Sequence, residues 1–582
     1  MRKSYRNGMI VVAGKNYEDV IYDVCSNDVH VRFDGKGGIT NYTVTNQSGN
    51  YVNRTFLSVY ADGKKFSAYC EKTVEMVGRM QKILLRQDGC KITVLQFVPT
   101  AGNAVFFEIK ANKPGSYDVV LDLGEAFKTF RFATDAEYSR VPQNGAIYLH
   151  TAKGVRFALS AETDAAYCKV MFSRFAEYKK RVLDEIRGVV IPETAKTEKD
   201  KALYVSSIFC ALENHKEIGK YRAFSPGCTC SGPVRTYYAD AYWSTMALYR
   251  QHRTEIIRDQ IVTLSHGIDE GGDCPAAVTF EFAAHWRTHY DTPCFFVTSV
   301  YDYINHTGDF SILDEEVKGR TVYQCCLLAM DKLANCEDET SLIKKPGRYN
   351  NRDWTDKVNR VGYVTYDEVL YARALYCLSR IAGKRDKVRA ARYREMFART
   401  KNAINRILWD DKKGYYVNYK SDTFTEDNLS VDTVIAILFG ISDKEKTERL
   451  LDSISALLET KNNKLQPAGD FGVMSVYPFY RGVDRCYDKA SKEYEYHNGA
   501  AWPYWSALVA YAEMRNGRDC SYALLSSFDW NVKHGNYTLA DYYSPCAPSG
   551  SPLSTWNSVF ALVYDWQEDD FFCENESVWE KR

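Results

Sequence analysis

The sequence predicts an N-terminal antiparallel β-sandwich followed by an all-α (α/α)6 barrel, and three observations carry that expectation. From about residue 8 to 180 the chain runs in short segments of alternating apolar and polar residues, broken by Gly, Asn and Asp. Around Ser173–Asp184 the apolar period lengthens from two residues to that of a helix. Beyond it the helical stretches come in consecutive pairs whose connections alternate short and long, the long ones rich in Gly, Pro, Asp, Trp and Tyr.

The strands expected from the alternation are 28–33, 91–97, 104–109, 116–121 and 146–150. Repeated period-two segments at this spacing give each sheet one buried face. The polar run Ile191-Pro-Glu-Thr-Ala-Lys-Thr197 has the look of a helix start, so the boundary falls between 175 and 200. This divides the chain into a sandwich over 1–180, a linker helix over 181–200 and a barrel over 201–582. Helices are expected at 198–218, 238–252, 254–266, 290–307, 311–335, 363–383, 386–408, 430–440, 443–459, 499–516, 518–529 and 553–567, six pairs in all. Closed into a ring, they gather the long loops at one mouth, where a rigid scaffold carries its binding and catalytic side chains.

Composition narrows the function. Lys plus Arg and Asp plus Glu are 75 each, so no global field favours nucleic acid or an anionic membrane, and a neutral ligand fits this balance. No basic patch with interleaved aromatics, P-loop or dinucleotide fingerprint is present. No stretch reaches the ~18 apolar residues of a membrane span. The opening segment has an apolar run of about five residues before Lys15, short for a secretory core. The 17 cysteines are scattered singly or in unmatched pairs, which reads as reduced thiols and a cytoplasmic protein. Aromatic residues make up 14% of the chain, 43 of them Tyr and 10 Trp, enough to supply flat amphipathic rings that stack on sugar faces. Oligomeric state is not encoded in any of these features.

Three stretches bear on chemistry: Arg352-Asp-Trp-Thr-Asp356, Glu495-Tyr-His-Asn-Gly499 and Ala540-Asp-Tyr-Tyr-Ser-Pro545. The first and last offer carboxylates far apart in sequence, and cleaving a glycosidic bond needs two carboxyl groups flanking it. Asp353 and Asp356 both stand as the acid; Asp541, Glu493 and Glu495 all stand as the base. Each also has a plain structural reading, since Asp commonly caps turns and helices, His-Asn-Gly makes an ordinary tight turn, and Trp502 suits a core. Their joint order in successive inter-helix loops favours a site.

These residues resemble six-hairpin glycoside hydrolases, similar to the family 63 glucosidases, the family 100 alkaline and neutral invertases and the glucosidase domain of glycogen debranching enzyme. Trp354-Thr-Asp356, followed by Gly362 and the Tyr366–Leu375 helix, resembles their Trp-x-Asp element. Tyr496-His-Asn-Gly-Ala-Ala-Trp-Pro503 matches the invertase pattern over eight residues. Tyr290-Asp-Thr-Pro293 before a helix ending at Thr307-Gly-Asp309 is a further match. Asp541-Tyr-Tyr-Ser-Pro545, with Ser549-Gly550 and Ser554-Thr-Trp-Asn-Ser558, resembles the C-terminal element that carries a Glu, here replaced by the shorter Asp.

The resemblance implies an exo-acting, inverting hydrolase of α-linked gluco-oligosaccharides or small α-glycosides that uses no cofactor. Asp356 is then the general acid, kept protonated by burial and by Trp354, and Asp541 the base that activates water. Tyr238, Asp240, Asp291, Trp354, Glu368, His497, Asn498, Trp502 and Tyr543 are the expected substrate-binding residues. An inverting disaccharide phosphorylase, a polysaccharide lyase and a catalytically silent carbohydrate-binding protein are the alternatives on this fold. No metal site is expected. His285 and His289 are spaced for one helix face but lack a third ligand, Cys228 and Cys230 lack a second pair, and Asp269–Asp273 lacks the spacing of a calcium loop.

Overall fold

The alternating segments of the N-terminal region form three antiparallel sheets. Cys90–Phe97 pairs with Met80–Gln87 on one side and Val105–Ala111 on the other. These lie inside an eight-stranded sheet that also takes in Arg2–Arg6, Met9–Gly14, Glu71–Val77, Gly154–Ser160 and Arg131–Thr134. A five-stranded sheet joins Tyr138–Val141, Ala146–Thr151, Tyr117–Asp122, Phe56–Ala61 and Lys64–Lys65, and a three-stranded one joins Tyr22–Cys25, Val29–Phe33 and Ile39–Val44. In Tyr117–Asp122 the residues Tyr117, Val119 and Leu121 are buried while their neighbours are half-buried, the signature of a sheet with one face on the core. All five strands expected from the alternation are present, each end within two residues. The computed structural model describes residues 2–14, 20–46, 50–52, 54–66, 70–228, 233–286, 289–346 and 353–580.

Helices Ala165–Ser173 and Phe175–Arg187 lay Cys168, Met171, Phe175, Tyr178 and Val182 against Leu95, Phe97, Phe106 and Ala158 of the large sheet. No helix spans 188–197, and a new one, Glu198–Asn214, starts at a capping box in which Thr197 and Asp200 satisfy each other's backbone amides. Residues 181–200, read from the sequence as one linker helix, are therefore the end of one helix, a non-helical stretch and the first residues of another.

From there to the C-terminus the chain is mainly helical. Six segments form a central set: Tyr238–Thr245 with Met246–Leu248, Thr292–Thr307, Thr365–Gly383, Val431–Val434 with Ile435–Leu438, Pro503–Arg515, and Thr555–Phe560 with Ala561–Asp565. Each touches the next in this order, and the last touches the first. Every residue from Thr292 to Asn305 is buried, as expected of a helix apolar on all sides. Flanking helices are one-sided: Lys387–Ile407 buries Ala390, Tyr393, Met396, Thr400, Ala403 and Ile404, at steps of three and four, and turns its charged residues outward.

The twelve helical stretches read from the sequence all contain helix, but several differ in extent: 198–218 ends at Asn214 and continues as the strand His215–Ile218, 499–516 begins at Pro503, and 518–529 is displaced to Ser521–Lys533. The stretch 311–335 divides into a 3-10 turn Phe310–Asp314, a hairpin of Glu316–Val317 with Arg320–Thr321, and the helix Val322–Ala334, because Thr321 and Gln324 form a second capping box that fixes the start at Val322. The stretch 238–252 stops at Leu248, just ahead of His252, whose φ of 55° lies in the left-handed region. Among the described residues no helix is long and apolar enough to cross a membrane. The described cysteines are free thiols, most of them buried.

Candidate active site

The starts of five of the six central segments open onto one cavity of about 360 Å³. The chain entering Tyr238–Thr245 contributes Arg235, Tyr237 and Asp240; the one entering Thr292–Thr307 contributes Trp286, His289 and Asp291. Asp353, Trp354 and Asp356 come from the connection before Thr365–Gly383, Tyr496, His497 and Trp502 from that before Pro503–Arg515, and Asp541, Ser551 and Trp556 from the last. The sixth segment acts from behind, because Asp432 accepts a 2.7 Å hydrogen bond from the Trp354 indole. Asp356 and Asp541, distant in sequence, thus line the same space.

Local conformation explains how each is aimed. The strand Ala540–Tyr543 pairs with Pro548–Pro552, but the register shifts between Ala540 and Tyr542, so Asp541 sits in a bulge, a device that redirects a side chain. The opposite strand crosses it through Gly550, at φ 75°, where a Cβ would stand 2.4 Å from the Asp541 Cβ. Ser554 Oγ donates to Asp541 at 2.9 Å. Tyr496 is held at φ 48° and Gly499 at φ 97° in the turn that presents His497, and a Cβ on Gly499 would collide with Phe479 at 2.4 Å. Left-handed backbone at a non-glycine residue is stored strain of the kind that gathers at functional sites. His497 then stacks on Trp502, with ring centroids 4.9 Å apart and planes within 9°, and places Nε2 3.1 Å from Asp356 Oδ1.

The two carboxyls are tuned in opposite directions. Burial drives Asp541 up to about 6, although Ser554, the Ser551 amide and Trp556 favour its charged form. Burial also pushes Asp356 upward, but hydrogen bonding and charge from His497, with Tyr496 and Lys357, outweigh it and leave the group below its ordinary value. The Trp354 indole N–H is spent on Asp432. Asp240 is raised well above a normal carboxyl by burial and by the charges of Asp541 and Asp291. Burial lowers the His497 imidazole despite the neighbouring Asp356.

The rivals separate on position. Asp353 borders the cavity but is locked by Lys345 Nζ at 2.9 Å and by the Thr355 amide at 2.7 Å. Burial notwithstanding, Lys345 and Arg360 hold it far below the carboxylate range. Glu493 is exposed and 3.5 Å from Arg481, and neither it nor Glu495 lines the cavity.

Of the expected substrate contacts, Asp240, Asp291, Trp354, His497 and Trp502 line the cavity, and four others do not. Tyr238 is buried and donates its hydroxyl to the Leu264 carbonyl at 2.7 Å. Glu368 is buried and accepts the Ile343 amide at 3.1 Å. The Asn498 side chain closes on the Tyr480 backbone at 2.8 and 3.1 Å, fixing the turn rather than facing a ligand. Tyr543 lies against Trp530, ring centroids 4.3 Å apart, and donates to Ser527.

Arg235, Tyr237, Trp286, His289, Tyr496 and Trp556 line the cavity without having been expected as contacts. Tyr496 and Trp556 stand inside quoted motifs and were legible there. Arg235 carries no signal in its neighbours. His285 lies in a two-residue strand rather than on a helix, which removes the i, i+4 geometry with His289; His289 instead stands 3.4 Å from Asp291. Asp23, His30 and Cys228 offer ligand atoms within 4.8 Å of one another, but His30 and Arg32 already close on Asp23 at 2.7 and 2.9 Å, a balance a cation would disrupt. Arg352 and Cys230 lie outside the described residues.

A cavity with paired carboxyls amid stacked aromatic rings, at the ends of a closed set of helices, defines a carbohydrate-active enzyme. Residues 231–554 match the profile of the mannosylglycerate hydrolase MGH1-like glycoside hydrolase domain, more than half of the chain, and the protein belongs to that family. A bacterial glucoamylase solved with acarbose shares its fold across 98% of this chain and 99% of that one, at 12% identity and a TM-score of 0.61. A rhamnosidase from Klebsiella oxytoca with rhamnose bound aligns over 96% of both chains, at 11% identity and a TM-score of 0.50. The N,N'-diacetylchitobiose phosphorylase of Vibrio furnissii is 26% identical over 180 residues, which is 28% of this chain and 22% of that protein's length.

Proposed function

We propose that the protein is an exo-acting, inverting glycoside hydrolase of small α-glycosides or α-linked gluco-oligosaccharides, with Asp356 as general acid and Asp541 as general base. The observation that carries this reading is the meeting of these two carboxyls in one aromatic-walled cavity of about 360 Å³, a size suited to a small ligand. The closed succession of central helices, each backed by flanking ones, supports an (α/α)6 barrel over 201–582, braced by a β-sandwich over 1–180. Arg235 lines the same cavity, and its guanidinium suits a carboxylate-bearing aglycone such as the glycerate of the family's name. A panel of α-glucosides and α-mannosides, with neutral or glycerate aglycones, tests this directly; cleavage of none of them would overturn it.

The reactive pocket holds one proton between the pair, on the acid and off the base. The pair's upper titration lies at about 6, on Asp541, and the lower falls below an ordinary Asp. The singly protonated pocket exists between the two, so kcat/KM is expected to fall by roughly tenfold per pH unit once pH rises past the upper value. In the free enzyme that proton prefers Asp541; a sugar that takes over the His497 hydrogen bond and excludes water from Asp356 moves it to the acid. By the same exclusion the alkaline limb of kcat lies at higher pH than that of kcat/KM. A kcat/KM profile flat through about pH 6 would contradict this account of the pair.

A phosphorolytic reading draws on a separate observation, the presence of Arg235 and His289 in the cavity wall, side chains able to hold an inorganic phosphate in place of water. The similarity to a disaccharide phosphorylase points the same way. Formation of a sugar phosphate only when phosphate is supplied would decide for it, and release of free sugar without phosphate against it.

A further inference from the structure

Behind the cavity five charged side chains are almost wholly removed from water: Lys345, Asp353, Arg360, Asp367 and Asp432 are each at most 2% exposed in their side chains. Lys345 Nζ bridges Asp353 at 2.9 Å and Asp367 at 2.5 Å. Arg360 reaches Asp432 at 2.7 Å and Asp353 at 3.6 Å. Burial, with Lys345 opposing it, pushes Asp367 upward, and Asp353 and Asp432 are the two carboxylates that Arg360 spans. Buried pairs of this kind are weak contributors to stability compared with apolar packing of the same volume. Their placement is more informative, because both anions grip the segment that bears Asp356.

Asp353 accepts the Thr355 amide at 2.7 Å and the Thr355 hydroxyl at 2.6 Å, which fixes the turn immediately before Asp356. Asp432 accepts the Trp354 indole and stands at the start of Val431–Val434, a central segment that, among the described residues, lines the cavity neither itself nor through the chain entering it. The ring it anchors packs edge-on against His497, Trp502 and Trp505, with centroids 4.9 to 5.7 Å away, and His497 in turn touches Asp356.

We infer that Asp432, held by Arg360, is a positioning residue for the proposed reaction: it sets the orientation of Trp354 and thereby the placement of His497 and the Asp356 carboxyl. The inference rests on the hydrolase reading, and its consequence is on turnover more than on binding, since small displacements of a reacting group cost rate.

A double-mutant cycle tests it. Asp432→Asn keeps an acceptor of the same shape but takes its charge from Arg360, and Trp354→Phe removes the donor together with part of the ring that packs on His497, Trp502 and Trp505, while leaving every buried charge paired. Each is expected to lower kcat by on the order of 10- to 100-fold with KM within about threefold. The double variant should cost little more than the worse single one, because both break one contact. In ¹⁵N-tryptophan NMR, the indole resonance that disappears in Trp354→Phe should shift in Asp432→Asn. Unchanged kcat in Trp354→Phe, additive losses in the cycle, or an unmoved indole resonance would each overturn the inference. If the wild-type protein cleaves no glycoside, the hydrolase reading fails on that result alone, while the NMR measurement still reports on the anchor.

Discussion

Replacing Asp356 with Asn should lower kcat on an unactivated α-glycoside by about 10²- to 10⁴-fold, the range over which a positioned proton donor accelerates departure of a poor leaving group. That corresponds to about 3–5 kcal/mol of barrier. The exchange is nearly isosteric, and the amide oxygen can still accept from His497, which stands 3.1 Å from the native carboxylate, so the cavity wall is expected to persist. The diagnostic is leaving-group dependence. A glycosyl fluoride or dinitrophenyl glycoside departs without a proton, and on such substrates the deficit should shrink by most of its size. A variant that keeps wild-type turnover on an unactivated substrate would remove Asp356 from the role, and Asp240, a buried carboxyl of raised pKa in the same cavity, would become the candidate.

The second large effect is expected at Asp541. Asp541→Ala should reduce hydrolysis by a further comparable range of about 10²- to 10⁴-fold, because water then attacks without a base. Added azide, a nucleophile that needs no deprotonation, should restore bond cleavage by occupying the space of the lost carboxylate and the water. Its product, a glycosyl azide, should carry the anomeric configuration opposite to that of the substrate. No rescue, or an azide of unchanged configuration, would contradict a base that acts through water. A phosphorolytic enzyme responds differently: Asp541→Ala would leave phosphate-dependent cleavage largely intact, since phosphate brings its own nucleophilic oxygen.

How much of this was legible from residues alone differs by element. The strands were readable because alternation survives wherever one sheet face meets the core, as at Tyr117, Val119 and Leu121. Helix existence was readable and helix ends were not: the Thr321–Gln324 capping box overrode an apolar pattern that ran straight through it. At the site, residues in contiguous motifs were found together, Trp354 with Asp356 and His497 with Trp502. Motif membership does not report which way a side chain points, however. Asn498 shares a motif with His497 and Tyr543 one with Asp541, yet Asn498 serves the turn and Tyr543 the packing against Trp530. Arg235 and Trp286 were missed because they reach the cavity through short strands, Arg235–Tyr237 paired with Ala277–Thr279 and that in turn with Ala284–His285, whose pairing depends on tertiary structure rather than local pattern. The opposed tuning of Asp356 and Asp541 was out of reach as well, since it depends on who donates to each carboxyl: His497 to one, Ser554 to the other.

The most direct test of the central claim is ¹H NMR of the first sugar released by the wild-type enzyme from an α-glycoside, followed before mutarotation equilibrates the anomers. Water activated by one carboxylate while the other protonates the opposite face must deliver the β-anomer first. Initial release of the α-anomer would mean a covalent intermediate and a carboxyl pair working at close range, and would contradict the mechanism proposed for Asp356 and Asp541.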